Sequence, residues 1–243
     1  MKKNIIMIAL LTLCVSYSTA KPHYANVDEY PVKQGSLEEM VYSAEKTDFS
    51  VWSPSADSVY LNIYADAQSA EPIERLLMTP QADGSWTASV KGDWNGNFYT
   101  FQVVDAASRW KLHETPGIFA KAVGVNGRRA AIIDWKTTNP VGWENDVRPA
   151  FAGAKDAIVY EMHHRDMTIH ATSGVHNKGK FVGWIEHGAK TAEGLATGID
   201  HLVELGVTHV QILPSYDYGS VDETRLVDNK YNWGYDPVNY NAP

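Results

Sequence analysis

Between residues 48 and 134, apolar and polar positions alternate in short runs at 49–53, 58–65, 73–78, 86–90, 98–104 and 130–133. A period of two is the mark of strands with one covered face. In 58–65, Val59, Leu61 and Ile63 fall on one side and Tyr60, Asn62 and Tyr64 on the other, so that one side looks into a core. Asp83-Gly84 and Asn95-Gly96 tolerate the positive φ that tight chain reversals need. The pattern predicts an all-β sandwich over 48–134, about 85 residues and large enough to fold as one domain. The polar stretch before it, 21–47, reads as a lead-in with a short helical run at 37–44.

Past a Pro- and Gly-bearing linker at 135–150, where regular structure is broken, the period changes. Residues 157–162 are a continuous apolar run, expected to form a strand buried on both faces. In 193–205, Leu195, Ile199, Leu202, Val203 and Leu205 recur at helical spacing, and Gly206 stands where a helix terminator belongs. A second apolar run, 207–213, is rich in β-branched residues. This is a β-α-β unit with parallel strands, and such units bind ligands at the carboxyl ends of their strands.

Two clusters lie at those ends. His163, His164, Arg165 and Asp166 follow the first strand, and Pro214 to Tyr218 follow the second. With Glu161 and His170 nearby, the first cluster holds possible metal ligands. Strand alternation sends Glu161, His163 and Arg165 one way and Met162, His164 and Asp166 the other, so three ligands do not converge. A hydrogen-bonded network around Arg165 and Asp166 is the expectation, and no metal site is assigned. Asp217, Asp222 and Glu223 read as solvated loop charge.

At the amino terminus Lys2 and Lys3 precede an apolar run from Ile5 to Val15, and Ser18 and Ala20 frame a peptidase site. Residues 1–20 read as a cleaved signal peptide directing the chain out of the cytoplasm, since the run is far shorter than the ~20 residues of a membrane span. The sole cysteine, Cys14, lies inside this run behind Leu13 rather than the small residue of a lipid-attachment site. After cleavage no disulfide or thiol chemistry remains.

The chain carries 21 Lys and Arg against 29 Asp and Glu, an acidic balance that argues against nucleic acid as a partner. Eight Trp, thirteen Tyr and six Phe offer flat faces for sugar rings, although such residues also fill cores.

The stretch Phe49-Ser50-Val51-Trp52-Ser53-Pro54-Ser55-Ala56, with Gly84-Ser85-Trp86 and Gly96-Asn97-Phe98-Tyr99-Thr100-Phe101, resembles family 48 carbohydrate-binding modules, which are immunoglobulin-like sandwiches. Trp52, Trp86, Trp94 and Trp110 are the aromatics available to a sugar; Trp52 and Trp86 are expected to pack the sandwich, which leaves Trp110 as the better contact. Tyr160-Glu161-Met162-His163-His164-Arg165-Asp166 resembles the first barrel strand of glycoside hydrolase family 13 pullulanases, with His164 and Met167 where that pattern has Val and Phe. Tyr231-Asn232-Trp233-Gly234-Tyr235-Asp236-Pro237 resembles the seven-residue signature of type I pullulanases.

The resemblance implies that 151–243 is the first part of a (β/α)8 barrel in a secreted enzyme that cuts α-1,6 bonds of pullulan, starch or glycogen. It implies no organic cofactor and leaves calcium open. Tyr235 is the implied sugar-stacking residue, with Asp236 and Trp233 beside it. The catalytic carboxylates are expected on later strands, so none is assigned in this chain. The alternative is a non-catalytic protein that binds branched α-glucan.

Overall fold

The computed structural model describes residues 24–105 and 114–242. The signal-peptide reading, Cys14 and Trp110 lie outside the described residues. A four-stranded antiparallel sheet contains β1 (Met40–Tyr42), β2 (Lys46–Trp52), β5 (Thr79–Pro80) and β6 (Ser85–Lys91) in the order β1-β2-β6-β5. A second sheet runs β4-β3-β7-β8, from β3 (Ser58–Tyr64), β4 (Glu74–Leu77), β7 (Phe98–Val104) and β8 (Glu114–Thr115), and β9 (Ala130–Ala131) also pairs with β7.

The two sheets enclose one core. Val59, Leu61 and Ile63 of β3 are fully buried and face Phe49, Val51, Trp86 and Phe101 in the same cluster. Phe49, Tyr99 and Phe101 meet edge to face at 5.1 and 5.4 Å, the arrangement that ring quadrupoles favour. The alternation in the sequence thus marks Val59, Leu61 and Ile63 as the core side of β3.

The helical run expected at 37–44 is instead β1, which pairs with β2 in register Met40 to Phe49. Glu39 explains why the chain is drawn into the sheet here. Its carboxylate is buried and accepts hydrogen bonds from the Ile118 and Phe119 amides at 3.1 and 2.9 Å, so a local helical preference yields to long-range bonds. Burial pushes the Glu39 carboxyl up, against the two amides that lower it.

The outer side of β3 also differs from expectation. Asn62 and Tyr64 are buried, because Glu114 accepts from Thr100 Oγ1 at 2.7 Å and from the Tyr64 hydroxyl, and the Arg129 guanidinium lies 3.5 Å over the Tyr64 ring.

The second unit holds β10 (Val159–Met162), the short α1 (Phe181–Trp184), α2 (Gly198–Glu204) and β11 (His209–Ile212). β10 and β11 are parallel, with Val159 opposite His209 and Met162 opposite Ile212. α2 is shorter than the 193–205 expected, since Thr191 to Leu195 closes a turn of its own through Gly194 N–H to Thr191 O and Thr191 N–H to Leu195 O. Its end is as the sequence indicates: Gly206, at φ 74°, donates to Val203 O while Val207 donates to Leu202 O, the paired bonds of a Schellman stop.

The expectation that β10 is buried on both faces fails. Ile158 and Val159 are exposed, and of the strand only Met162 is buried. Among the described residues no helix is long and apolar enough to cross a membrane.

Candidate functional site

The aromatic segment 231–237 is pinned at the carboxyl ends of both parallel strands. At β10, the His163 ring accepts from the Arg165 amide through Nδ1 at 3.2 Å, so Nε2 carries the proton it donates to Asn232 O at 2.9 Å. At β11, Gly234 approaches Pro214 so closely that a Cβ would sit 1.9 Å from the Pro214 carbonyl oxygen. Gly234 also has φ 91°, so only glycine fits this contact.

Inside the segment, Asn232 Oδ1 accepts from the Gly234 amide at 2.6 Å, and Asn232 Nδ2 donates to Ser220 Oγ and Asp236 Oδ1, each at 2.7 Å. Asp236 Oδ2 accepts from the Ser220 amide at 3.0 Å. These bonds from Ser220 and Asn232 hold the Asp236 carboxyl below its usual range. Both oxygens of Asp236 are therefore engaged in ordering the loop. Trp233 and Tyr235 are each 63% exposed. A braced loop presents two bare aromatic rings to solvent.

The histidine corner is built by stacking rather than by the alternation expected. β10 ends at Met162, and residues 163–169 turn through bonds such as Met167 N–H to His163 O. Beyond the strand end nothing enforces opposite faces. The His163 and His164 rings stack at 5.1 Å, His164 stacks on Phe181 at 4.2 Å, and Tyr231 tilts against His163 at 5.4 Å. His164, in the place of an apolar residue, sits neutral in this column. Desolvation first, then the neighbouring His163, pulls its pKa down, and its Nδ1 is buried without a partner. Arg165 donates to Asn229 Oδ1 at 2.5 Å and Asp166 accepts from the Tyr231 hydroxyl at 2.8 Å, so this pair ties the first loop to the chain leading into the aromatic segment. Among the described residues no group of three His, Cys, Asp or Glu is placed to hold a metal ion.

Asp217 and Glu223 are not the solvated loop charge expected. Asn126 of the sandwich side, at φ 59°, docks on their loop reciprocally. Its amide donates to Glu223 Oε2 at 2.7 Å, its Nδ2 donates to Asp222 Oδ1 at 3.0 Å, and its Oδ1 accepts from the Glu223 amide at 2.8 Å. Asn239 Nδ2 adds a bond to Gly127 O at 2.7 Å. Asp217 lies half-buried beside Glu223, and burial, followed by the Glu223 charge, pushes it up to about 6. Its Oδ2 is buried without a donor, so the contact with Glu223 is eased while Asp217 keeps its proton, below about pH 6, and sets two like charges together above it. Asn126-Gly127 was the one visible signal, a pair that tolerates positive φ; its partners, almost 100 residues away, were not legible.

Of the aromatics in the sandwich, Trp86 is buried with Nε1 donating to Ser53 O at 3.0 Å. Trp52 donates to Asp83 O at 3.1 Å and meets Tyr30 edge-on at 6.2 Å, and Trp94 donates to Lys91 O at 3.0 Å. Trp86 packs the core as expected, whereas Trp52 is 38% exposed and stands outside it, braced at the Asp83 turn.

The architecture is a two-sheet sandwich followed by a parallel β-α-β unit with exposed rings at its strand ends. Residues 37–116 match carbohydrate-binding module 48, the isoamylase N-terminal domain. Over 203 residues the chain is 37% identical to the pullulanase of Bacillus subtilis, an alignment covering 84% of this chain and 27% of that one. The pullulanase of Paenibacillus barengoltzii, solved with maltohexaose and α-cyclodextrin, superimposes with a TM-score of 0.83 at 46% identity over 89% of this chain and 33% of its own. The Anoxybacillus pullulanase solved with maltotriose gives 0.78 at 37% identity, over 89% of this chain and 30% of its own. The chain is homologous to the N-terminal part of the pullulanases and carries their module 48 domain, spanning about a quarter to a third of the length of these relatives.

Proposed function

We propose that this chain is the N-terminal part of a secreted α-glucan debranching hydrolase of the pullulanase type, acting on α-1,6 bonds of branched glucans. Residues 151–243 are then the opening β-α-β portion of a (β/α)8 barrel, a fold of about 250 residues whose sites lie at the carboxyl ends of its strands. The observation that carries this reading is the placement of Tyr235 at that end, on a loop braced by His163, Gly234 and Asp236. A rigid ring exposed over 63% of its surface presents the face that stacks on the C–H side of glucose, with Trp233 beside it and Asp236 holding the loop.

Retaining hydrolysis needs a nucleophile and an acid about 5 Å apart on opposite sides of the scissile bond. The carboxylates of the β11 loop are committed elsewhere: Asp222 and Glu223 to Asn126, Asp236 to Ser220 and Asn232. In this reading the chain forms a substrate wall and does not supply the acid pair. Export rests on the segment 1–20 and is tested by amino-terminal sequencing of the processed chain.

The 243-residue chain is expected to be retarded in native gels containing pullulan or amylopectin and to release no reducing sugar from either. Tyr235→Ala is expected to weaken retardation by about fivefold, the scale of about 1 kcal/mol for an aromatic stack. A folded chain that ignores both glucans, or whose affinity survives Tyr235→Ala, sinks the assignment.

A further inference from the structure

A cavity of about 340 Å³ opens between the loop after β10, the residues before α1 and the 3₁₀ helix Glu223–Asp228. Arg165, Lys178, Lys180, Arg225 and Lys230 line it, against two carboxylates, Asp222 and Asp228. In a chain with 21 basic and 29 acidic residues, five cations around one cavity run against the overall balance.

The two carboxylates neutralise only part of this group. Asp228 pairs with Arg225 at 3.2 Å, and Asp222 Oδ1 is taken by Asn126 Nδ2, Thr224 Oγ1 and the Thr224 amide. Arg165 spends one terminal nitrogen on neutral Asn229 Oδ1, and Lys178 Nζ donates to the Val175 carbonyl at 2.6 Å. Among the described residues none of Arg165, Lys178, Lys180 and Lys230 has an acidic partner within 4 Å.

The Asn229 bond matters because it fixes where the guanidinium sits. Asn229 caps the 3₁₀ helix in the left-handed region, at φ 48°, and holds Arg165 across the cavity between the two loops. A planar fork held in place, with ammonium groups around it, matches the tetrahedral dianion of a phosphate ester, whose oxygens accept several charge-assisted hydrogen bonds.

We propose that this cavity binds a phosphomonoester group, an activity independent of the glucan reading and using none of the residues assigned to sugar stacking. The shared chemistry comes from two sources, free phosphate and a phosphorylated sugar.

Titration calorimetry of the 243-residue chain at low ionic strength, with inorganic phosphate and glucose 6-phosphate as probes and glucose as the uncharged counterpart, tests this. Both phosphates are expected to bind with a dissociation constant of about 1 mM or tighter, while glucose gives no heat at this site. Tighter binding of glucose 6-phosphate assigns the cavity to phosphorylated sugar, and equal binding assigns it to the phosphate group alone.

The double variant Lys180→Ala/Lys230→Ala changes exposed side chains that the fold does not depend on, and is expected to weaken both probes by about tenfold, as is raising salt to about 0.5 M. Lys136→Ala, on the far connector, is expected to change neither. Arg165→Gln also loosens Asn229, so it is read only alongside the lysine pair. Absence of binding by the wild-type chain, or binding that the lysine double variant leaves unchanged, overturns the proposal.

Discussion

Replacing Asp217 by asparagine isolates the contact between the sandwich and the β-α-β unit. In the folded chain Asp217 is half-buried against Glu223, which raises its pKa from 3.8 to about 6, with only the Gly127 amide acting to lower it. Glu223 and Asp222 on the same loop are both bonded to Asn126. Between pH 3.8 and about 6 the folded state therefore holds a proton that the unfolded chain has released. Stability falls as pH rises through that window and is level above it.

The group is partly exposed to solvent, and screening reduces the cost of ionising it to about 1 kcal/mol. An asparagine side chain in its place carries no such penalty. The carbonyl oxygen of that amide keeps the bond from Gly127, and its NH₂ donates to Glu223 as the protonated carboxyl does. In urea unfolding followed by tryptophan fluorescence, the Asp217→Asn chain is expected to be more stable than wild type by about 1 kcal/mol at about pH 7.5 and indistinguishable from it below about pH 4. A variant that is less stable at the higher pH, or whose advantage is the same at both pH values, refutes the shared-proton account.

Gly234→Ala must move the chain away from Pro214, since its Cβ would lie 1.9 Å from a carbonyl oxygen at φ 91°; a loss of more than about 2 kcal/mol is expected, together with altered Trp233 emission, and an unchanged thermal midpoint would contradict it. Glu39→Ala strands the Ile118 and Phe119 amides and is expected to cost about 2–3 kcal/mol in urea titrations, with Glu39→Gln losing less. The lowered pKa of His164 means that the unfolded chain takes up the proton first, so stability falls as pH drops through the ordinary histidine value near about 6.5. His164→Val is expected to remove part of that acid sensitivity while leaving stability at about pH 8 within about 1 kcal/mol, which thermal melts at that pH and at about pH 5.5 would show.

Local chemistry was enough to read β2, β3, β4, β6, β7 and β9 of the sandwich, the Gly206 stop and the parallel order of β10 and β11, because alternation, backbone freedom and chain connectivity act over a few residues at a time. The seven-residue aromatic segment was equally legible as a family signature and as a candidate sugar wall. It did not reveal what keeps the segment in place. That depends on His163 and Pro214, which reach Asn232 and Gly234 only once two parallel strands have been set side by side.

The same holds where expectation failed. β1 replaced a helix because Glu39 found amides about 80 residues away, and Asp217 and Glu223 became interface groups because Asn126 docks on their loop. The sequence by itself determined the long strands of the sandwich, the β-α-β order, the acidic balance and the family resemblance, since these follow from residue identity and short-range spacing. Tertiary structure alone decided which polar groups are desolvated and by whom, and with that the raised pKa of Asp217, the lowered pKa of His164 and the surplus of cations around Arg165.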